Sequence, residues 1–430
     1  MPISGLLNLG LVNIDFENWT SCTVADNPIR LLSDCFEPGA TVSLVSVPGR
    51  VNLIGEHIDY HDLPVLPMAI QRRIRIAFCP RADARVRAIS SSGYGDREFD
   101  LSKNLEPGPT GDWVNYIKAA AKSATSRWPL KLGIDAVVLS DLPAAAGLAS
   151  SSALLVGFTL ALLQANCIRP DVGELMEILP DGEQFVGTHG GGMDHAAVLA
   201  SRAGCALLAK FAPLELTTIP VPPDWRFLIA HSLTMAEKSG AVRSEYNARR
   251  TAGTRALAAL GLPSYRTALE QHSHSKLRAM VVRARFEHRI AEDEFRAFVH
   301  VTGEARRVDE AVNAMRQGDA HAFGQVLSRS HASLRDNLRV SSPALDELVS
   351  SAMTAGALGA RLTGAGFGGC AIILCGSADC DRIRNQLVDE YYAQRPGFNP
   401  DNHLIVAEPS AGALYDTSTA ASLPVSGAKL

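Results

Sequence analysis

The 430-residue chain has little of what marks the specialised protein classes. Its eight cysteines, at positions 22, 35, 79, 167, 205, 370, 375 and 380, include no C-x-x-C pair. That argues against a zinc site or a disulfide framework and for reduced, buried thiols. Aromatic residues make up only 6% of the chain. Excess charge is missing too: 41 Lys and Arg face 45 Asp and Glu, a net −4, which disfavours a nucleic-acid backbone as partner. The longest apolar stretch, Leu154 to Leu163, has ten residues, well short of the ~20 that span a bilayer. The opening MPISGLLNLG carries no basic residue before its apolar part, so no secretory signal is expected. These absences predict a cytoplasmic protein with neither membrane nor nucleic-acid partner.

What is present is ample core material. Hydrophobic residues reach 47%, with 35 Gly and 23 Pro, and the length suits two domains or three. The β-branched run TVSLVSV at 41–47 and the alternating stretches at 72–79 and 85–89 read as strands. Residues 113–125 read as a helix capped by Asp112. IDAVVLS at 134–140 reads as a strand feeding a small-residue loop, and CALLAKF at 205–211 as another strand. The Pro-rich IPVPPDW at 219–225 places a boundary between domains 1–222 and 223–430. From 236 to 357 the pattern is mainly helical; a Gly-dense turn at 363–369 then leads into the strand CAIILC at 370–375. From about 408 the composition predicts a loose tail.

Three Gly-rich segments carry the chemistry; none fits G-x-x-x-x-G-K-[ST], and none reads as a dinucleotide loop, which needs G-x-G-x-x-G after a strand with an acidic residue about 20 on. PAAAGLASSSA at 143–153 joins a strand to a helix. Free amides and the positive end of a helix dipole make such a junction an anion site, and equally an ordinary capped helix. GRVNLIGEHIDY at 49–60 gathers Arg50, Glu56, His57 and Asp59. That cluster suits a polyol or anion ligand, a metal, or a solvated loop. GTHGGGMDHAAVLAS at 187–201 puts Asp194 after a glycine turn, as a helix cap or as a base for a hydroxyl nucleophile. Glu183 is a candidate magnesium ligand or a solvated carboxylate. His189 and His195, six residues apart, read as polar liners, since metal-binding pairs on a helix are more closely spaced.

Taken together, these motifs resemble the galactokinase family of the GHMP (galacto-, homoserine, mevalonate and phosphomevalonate) kinase superfamily. GRVNLIGEHIDY with VLPMAI at 65–70 resembles the sugar signature. P-x-x-x-G-L-x-S-S at 143–151 resembles the ATP-phosphate loop, and GARLTGAGFGGC at 359–370 the C-terminal glycine motif. DWVNYIK at 112–118, SEYNARR at 244–250 and HVTGEARRV at 300–308 agree, so the likeness runs from about 40 to about 405.

The resemblance implies an α+β, two-domain GHMP-kinase fold with its active site in the inter-domain cleft, acting on ATP, Mg2+ and a small sugar as a monomer or small homo-oligomer. It implies Asp194 and Arg50 as catalytic residues. Glu56, His57, Asp59, Gly191 and Tyr246 would hold the sugar. Trp113 would line the adenine pocket. Ala145, Ala146, Gly147, Leu148, Ala149, Ser150 and Ser151 would wrap the phosphates, with Ser151 and Glu183 on magnesium. The implied reaction is phosphorylation of the anomeric hydroxyl of D-galactose. N-acetylgalactosamine or another modified sugar is the alternative acceptor, and a non-catalytic galactose and ATP sensor the alternative role.

Four departures from the family pattern stand out. His61, Asp62 and Leu63 replace the usual Asn-Gly-Gly, Ala145 and Ala149 replace Gly and Ser, His195 replaces Gln, and Glu183 lies one residue nearer the aspartate. GTHGGGMD, HIDY and FAPLEL look closer to the eukaryotic branch, which includes N-acetylgalactosamine kinases.

Overall fold

The computed structural model describes residues 31–32, 35–36, 41–101, 104–143, 146–187, 190–234, 240–414 and 423–424. Strand β1 (Thr41–Ile54) is buried along the whole of its described length. It pairs antiparallel with β2 (Leu66–Pro80), which pairs antiparallel with β5 (Ile134–Ser140). β3 (Arg85–Ser90) lies parallel to β5 and antiparallel to β4 (Asp96–Asp100). Helix α1 (Val114–Arg127) is the crossover that parallel pairing of β3 and β5 requires. Asp112 accepts the Val114 N–H at 3.0 Å and so starts it. β4, with the sequence DREFD, is the exposed edge, and its charges protect that edge from further pairing.

Helices α2 (Ser150–Ala165), α3 (Val172–Phe185) and α4 (Met193–Ala200) complete the first half. α2 is buried nearly all round, which is why its apolar run shows no helical period. A capping box starts α3, with Asp171 accepting the Glu174 N–H at 2.8 Å and Glu174 the Asp171 N–H at 3.0 Å. β6 (Cys205–Lys210) and β7 (Glu215–Pro220) form a hairpin.

The second half holds a four-stranded antiparallel sheet ordered β11-β8-β10-β9, made of β8 (Trp225–His231), β9 (Gly359–Thr363), β10 (Cys370–Gly376) and β11 (Leu404–Ala407). Between β8 and β9 run α5 (Gly240–Ala259), α6 (Tyr265–Gln271), α7 (His274–Phe286), α8 (Glu292–Gln317), α9 (Ala320–Ser333) and α10 (Pro343–Thr354). Buried side chains of α8, among them Phe298, Val301 and Val308, belong to the same core cluster as Leu53, Ile54 and Ile58. The two halves thus share apolar packing at the end of β1. No helix among the described residues is long and apolar enough to cross a membrane.

Residues 408–414, the start of the expected loose tail, are tied to the body of the protein, while 415–422 and 425–430 lie outside the described residues. Ala413 N–H donates to Val198 O at 2.7 Å and Gly412 N–H to Ser201 O at 2.8 Å. Leu423 and Pro424 pair with Val42 and Thr41 at the edge of the first sheet. Small residues let this segment lie flat: a Cβ on Gly412 would sit 2.4 Å from Leu199 O.

α9 meets β9 through two glycines in the same way. A Cβ on Gly324 would lie 2.1 Å from Leu358 O, and one on Gly359 2.2 Å from Gly324 O. Gly324→Ala is therefore expected to cost about 1–3 kcal/mol of stability, as other overpacked sites do. A urea unfolding midpoint equal to that of the parent would show that the close approach is not real.

Candidate functional site

β1 supplies the first charged group of the site. A register shift between Pro48 and Arg50 interrupts its pairing with β2, and such bulges re-aim side chains. Gly49 permits the neighbouring loop to close in, since a Cβ there would lie 2.9 Å from Leu148 O. Arg50 is buried and grips Asp194 with two parallel bonds, Nε to Oδ1 at 2.7 Å and Nη2 to Oδ2 at 2.8 Å. Its Nη1 donates to Gly147 O at 2.6 Å, and its backbone N–H to Leu148 O at 3.1 Å. Burial alone would lower the Arg50 pKa, but the carboxylates of Asp194, Glu56 and Asp59 outweigh it and raise the value. Asp194 sits in the first turn of α4, whose cap is Gly192, so the helix-cap reading of that aspartate fails.

A cavity of about 760 Å³ opens above this pair. Arg50, Glu56, His57, Asp59, Asp194 and Tyr246 all line it, as do Gly191 and Glu183. From the second half, the run Thr363–Gly366 and the glycines at 368 and 369 form the opposite wall. Gly364, Gly366, Gly368 and Gly369 all have positive φ, a backbone path open to glycine at little cost. A Cβ on Gly364 would approach Gly147 O to 3.1 Å, so the two glycine loops face each other across the cleft.

The described residues of the small-residue loop divide between the cavity wall and the core. Gly147 and Ala149 line the cavity, whereas the Ala146 and Leu148 side chains are buried in the core. Ala145 lies outside the described residues. Ala149 adopts φ +59°, a left-handed conformation that costs a non-glycine residue roughly 1–2 kcal/mol. Ser150 and Ser151 open α2 without lining the cavity. The serine that meets Glu183 is Ser152, whose hydroxyl donates to Oε1 at 2.6 Å and lies 3.5 Å from Asp194 Oδ2. Ser152 is the neighbour of Ser151, the serine expected beside Glu183 on magnesium, and successive residues stand about 100° apart around a helix. Glu183 faces the cleft despite its shifted spacing.

Trp113 also departs from expectation. It does not line the cavity; its indole N–H donates to Tyr94 O at 3.2 Å, and Asp112, Asn115 and Tyr116 hold the wall instead. His195 is fully buried behind Glu183, with Nε2 3.5 Å from Oε1, so it is not a cavity liner. His189 lies outside the described residues.

The turn after β1 is the most constrained part of the site. His57 has φ +60°. Its Nε2 lies 3.1 Å from Ala365 O, which can only accept, so that nitrogen carries the hydrogen; Nδ1 then accepts from the Tyr60 hydroxyl at 3.0 Å. Burial pushes the imidazole down to about 3, so it is neutral. Both ring nitrogens are therefore committed to the protein, and His57 fastens the two halves while its ring borders the cavity. Tyr246 stacks obliquely on it at 5.1 Å. The Glu56 carboxylate accepts from Arg361 Nη2 at 2.7 Å. Burial raises the Glu56 pKa, opposed by Arg361 and Arg50. Gly191 packs directly on Asp59; a Cβ there would lie 2.4 Å from Oδ2.

Sequence reasoning missed Tyr116 and Arg243, which line the cavity, and the buried Arg361, His300 and Glu304. Arg361 and the two α8 residues lay inside stretches noted only as motifs. Among the described residues, no group of three or more His, Cys, Asp or Glu side chains is arranged to hold a metal. Glu183, which faces the cavity, is nonetheless a hard oxygen donor, and magnesium in phosphoryl-transfer sites needs only one or two protein ligands beside the phosphates.

Comparison with known proteins follows the same lines. Residues 36–80 match the galactokinase galactose-binding signature, 115–202 the GHMP kinases N terminal domain and 311–394 the GHMP kinases C terminal family. Galactokinase from Bos taurus is 36% identical over 361 residues, covering 81% of this chain and 87% of the relative. Galactokinase from Homo sapiens is 36% identical, and that from Chloroflexus aurantiacus 37%, with the same coverage. Lactococcus lactis galactokinase, solved with galactose, matches with a TM-score of 0.80 and 26% identity over 89% of this chain and 97% of that one. A mevalonate kinase at TM-score 0.56 and 19% identity shares the fold.

Asp59 gives this site a pH signature. Burial first, then the Asp194 charge, pushes its carboxyl up to about 7. A raised carboxyl pKa means the folded state binds more protons than the unfolded one, so stability falls as pH rises from about 4 to about 7. The melting temperature of the parent should therefore fall, relative to that of Asp59→Asn, as pH rises from about 4 to about 7. Parallel curves for the two proteins would contradict the raised pKa.

Proposed function

Because the chain belongs to the galactokinase family of the GHMP kinases, we propose that it transfers the γ-phosphoryl group of ATP to the anomeric hydroxyl of D-galactose, giving α-D-galactose 1-phosphate and ADP. The observation that carries this reading is the bidentate Arg50–Asp194 pair bonded to Gly147 at the mouth of the small-residue loop. It puts a carboxylate that can accept a hydroxyl proton beside a cation that can meet developing phosphoryl charge. Phosphoryl transfer asks the protein mainly for such positioning and electrostatics.

In this reading Asp194 accepts the hydrogen bond of the sugar's O1 hydroxyl and takes its proton as the new P–O bond forms. Arg50 keeps that carboxylate ionised and stabilises the equatorial oxygens in flight. Asp59, Glu56, Tyr246 and the Gly191 backbone receive the remaining hydroxyls, and the His57 ring supplies a wall. Gly147, Ala149 and the first amides of α2 cradle the phosphates from one side, with Gly364–Gly369 on the other. Tyr116, which lines the cavity where Trp113 does not, lies beside the adenine. Glu183, which lines the cavity, and Ser151 in the first turn of α2 would hold magnesium beside the phosphates, and the ion would neutralise phosphate charge. We place the enzyme in the cytoplasm, as a monomer or small homo-oligomer divided near residues 222–223.

Asp194→Asn keeps the shape and a hydrogen bond to Arg50 but removes the acceptor charge. It should lower turnover at least about a thousandfold while calorimetric ATP binding survives; comparable turnover would sink the role of Asp194. The acceptor is tested by ADP release with Mg-ATP on galactose, N-acetylgalactosamine, galactosamine, glucose, arabinose and galacturonate. Galactose should turn over fastest, and preference for a C2-modified sugar would reassign the substrate.

A further inference from the structure

The turn that carries Glu56 and His57 does not hold its own shape. Gly55 and Glu56 follow the end of β1, where their amides have left the ladder and need other acceptors. Gly55 has φ +100°, and a Cβ there would lie 2.9 Å from the Cα of Val65, so the chain passes tightly under its neighbour. Both amides point to one atom in the other half of the molecule. Glu304 Oε1, on α8, accepts Gly55 N–H at 3.1 Å, Glu56 N–H at 3.3 Å and the Ser330 hydroxyl at 2.8 Å. Glu304 Oε2 accepts Arg307 Nε at 2.7 Å.

One turn earlier on α8, His300 Nε2 lies 3.0 Å from the Glu56 carbonyl, and Nδ1 3.0 Å from the Ser333 hydroxyl. The carbonyl can only accept, so Nε2 carries the hydrogen. Glu56 is thus held at its N–H by Glu304, at its C=O by His300 and at its carboxylate by Arg361. Arg361 also donates to Leu53 O at 2.9 Å and Asn52 O at 2.6 Å. Glu304, His300 and Arg361 are all fully buried. None of Glu304, His300 and Arg361 lines the cavity.

We propose that Glu304 and His300 are positioning residues of the sugar site, fixing the backbone at Gly55 and Glu56 so that Glu56, His57 and Asp59 face the acceptor. A buried ion pair is a poor source of stability, because apolar residues of similar volume commonly serve as well. What the Glu304 carboxylate supplies that an apolar side chain cannot is a fixed acceptor for two converging amides. Burial would push its carboxyl up, but Arg307, with His300 and Arg361, holds it down at about 2. Burial holds the His300 imidazole at about 4. Both groups therefore keep one protonation state through the neutral range, as a fixed brace requires. The phosphate side of the cleft is braced separately, by Arg50 on Gly147, so the two substrates should respond differently when α8 is altered.

The proposal rests on the reading of Glu56, His57 and Asp59 as sugar contacts, and Asp59→Asn tests that reading alone. Glu304→Gln and His300→Gln are measured beside it for kcat, for KM toward galactose and toward Mg-ATP, and for the thermal shift that galactose produces. Losing one such bond should raise the galactose KM about tenfold or more and leave the Mg-ATP KM within about twofold. The galactose-induced thermal shift should shrink in step. Both KM values rising together, or a lower Tm with the galactose KM unchanged, would assign α8 a purely structural role and overturn the proposal. If Glu304→Gln does not fold, His300→Gln with Ser330→Ala decides by the same split. If Asp59→Asn leaves the galactose KM unaltered, the sugar reading fails first and takes the positioning role with it.

Discussion

Arg50 is buried in the cleft wall and needs a hydrogen-bonding partner there, which Asp194 supplies from the cavity side. A buried guanidinium left with no acceptor is an uncompensated charge worth about 3–5 kcal/mol of destabilisation. Arg50 and Asp194 satisfy each other with two parallel bonds and leave a third N–H for Gly147 O. One side chain thereby locates a strand, a loop and a helix relative to one another: β1 by covalent attachment, residues 147–148 by hydrogen bond and α4 by ion pair. The groups that must converge on a transferring phosphoryl are the ones this pair sets in register.

A second charged layer joins the halves. Glu56–Arg361 and the Gly55 N–H bond to Glu304 bridge segments more than 240 residues apart, and His57 reaches Ala365 across the same seam. Apolar contacts could hold the halves together, but they define orientation poorly. Hydrogen bonds to single carbonyls and amides define it to fractions of an ångström, and the two glycine loops can then approach without side chains between them. The seam is polar where the ligands meet and apolar below, where α8 packs against the end of β1.

Much of this was legible in the sequence. The three glycine-rich motifs, the clustering of Arg50, Glu56, His57 and Asp59, and Asp194 beyond a glycine turn all meet in one cavity. Orientation was less readable. Three consecutive serines look alike in sequence, and only helical phase selects Ser152 for Glu183. Trp113 has the right neighbours but its indole turns to Tyr94. His300 and Glu304 act through contacts 244 to 249 residues distant, which local patterning does not encode. Helix α2 shows no period because every face is covered. The segment after 408 reads as small and polar, since its partners are backbone groups that require no distinctive side chain.

That returning segment bears on how the protein is made. Arg73 in β2 donates to Ala411 O across a separation of 338 residues, and Thr41 and Val42 pair with residues 423 and 424. Translation at roughly 5–20 residues per second puts about 17–70 s between the emergence of β2 and that of its distant partner. Throughout that interval the nascent first half carries an unpaired sheet edge at β1 and an uncovered stretch of α4. The early part of the chain is therefore an incomplete folding unit, open to chaperones and to strand exchange, until residues 411–424 have emerged.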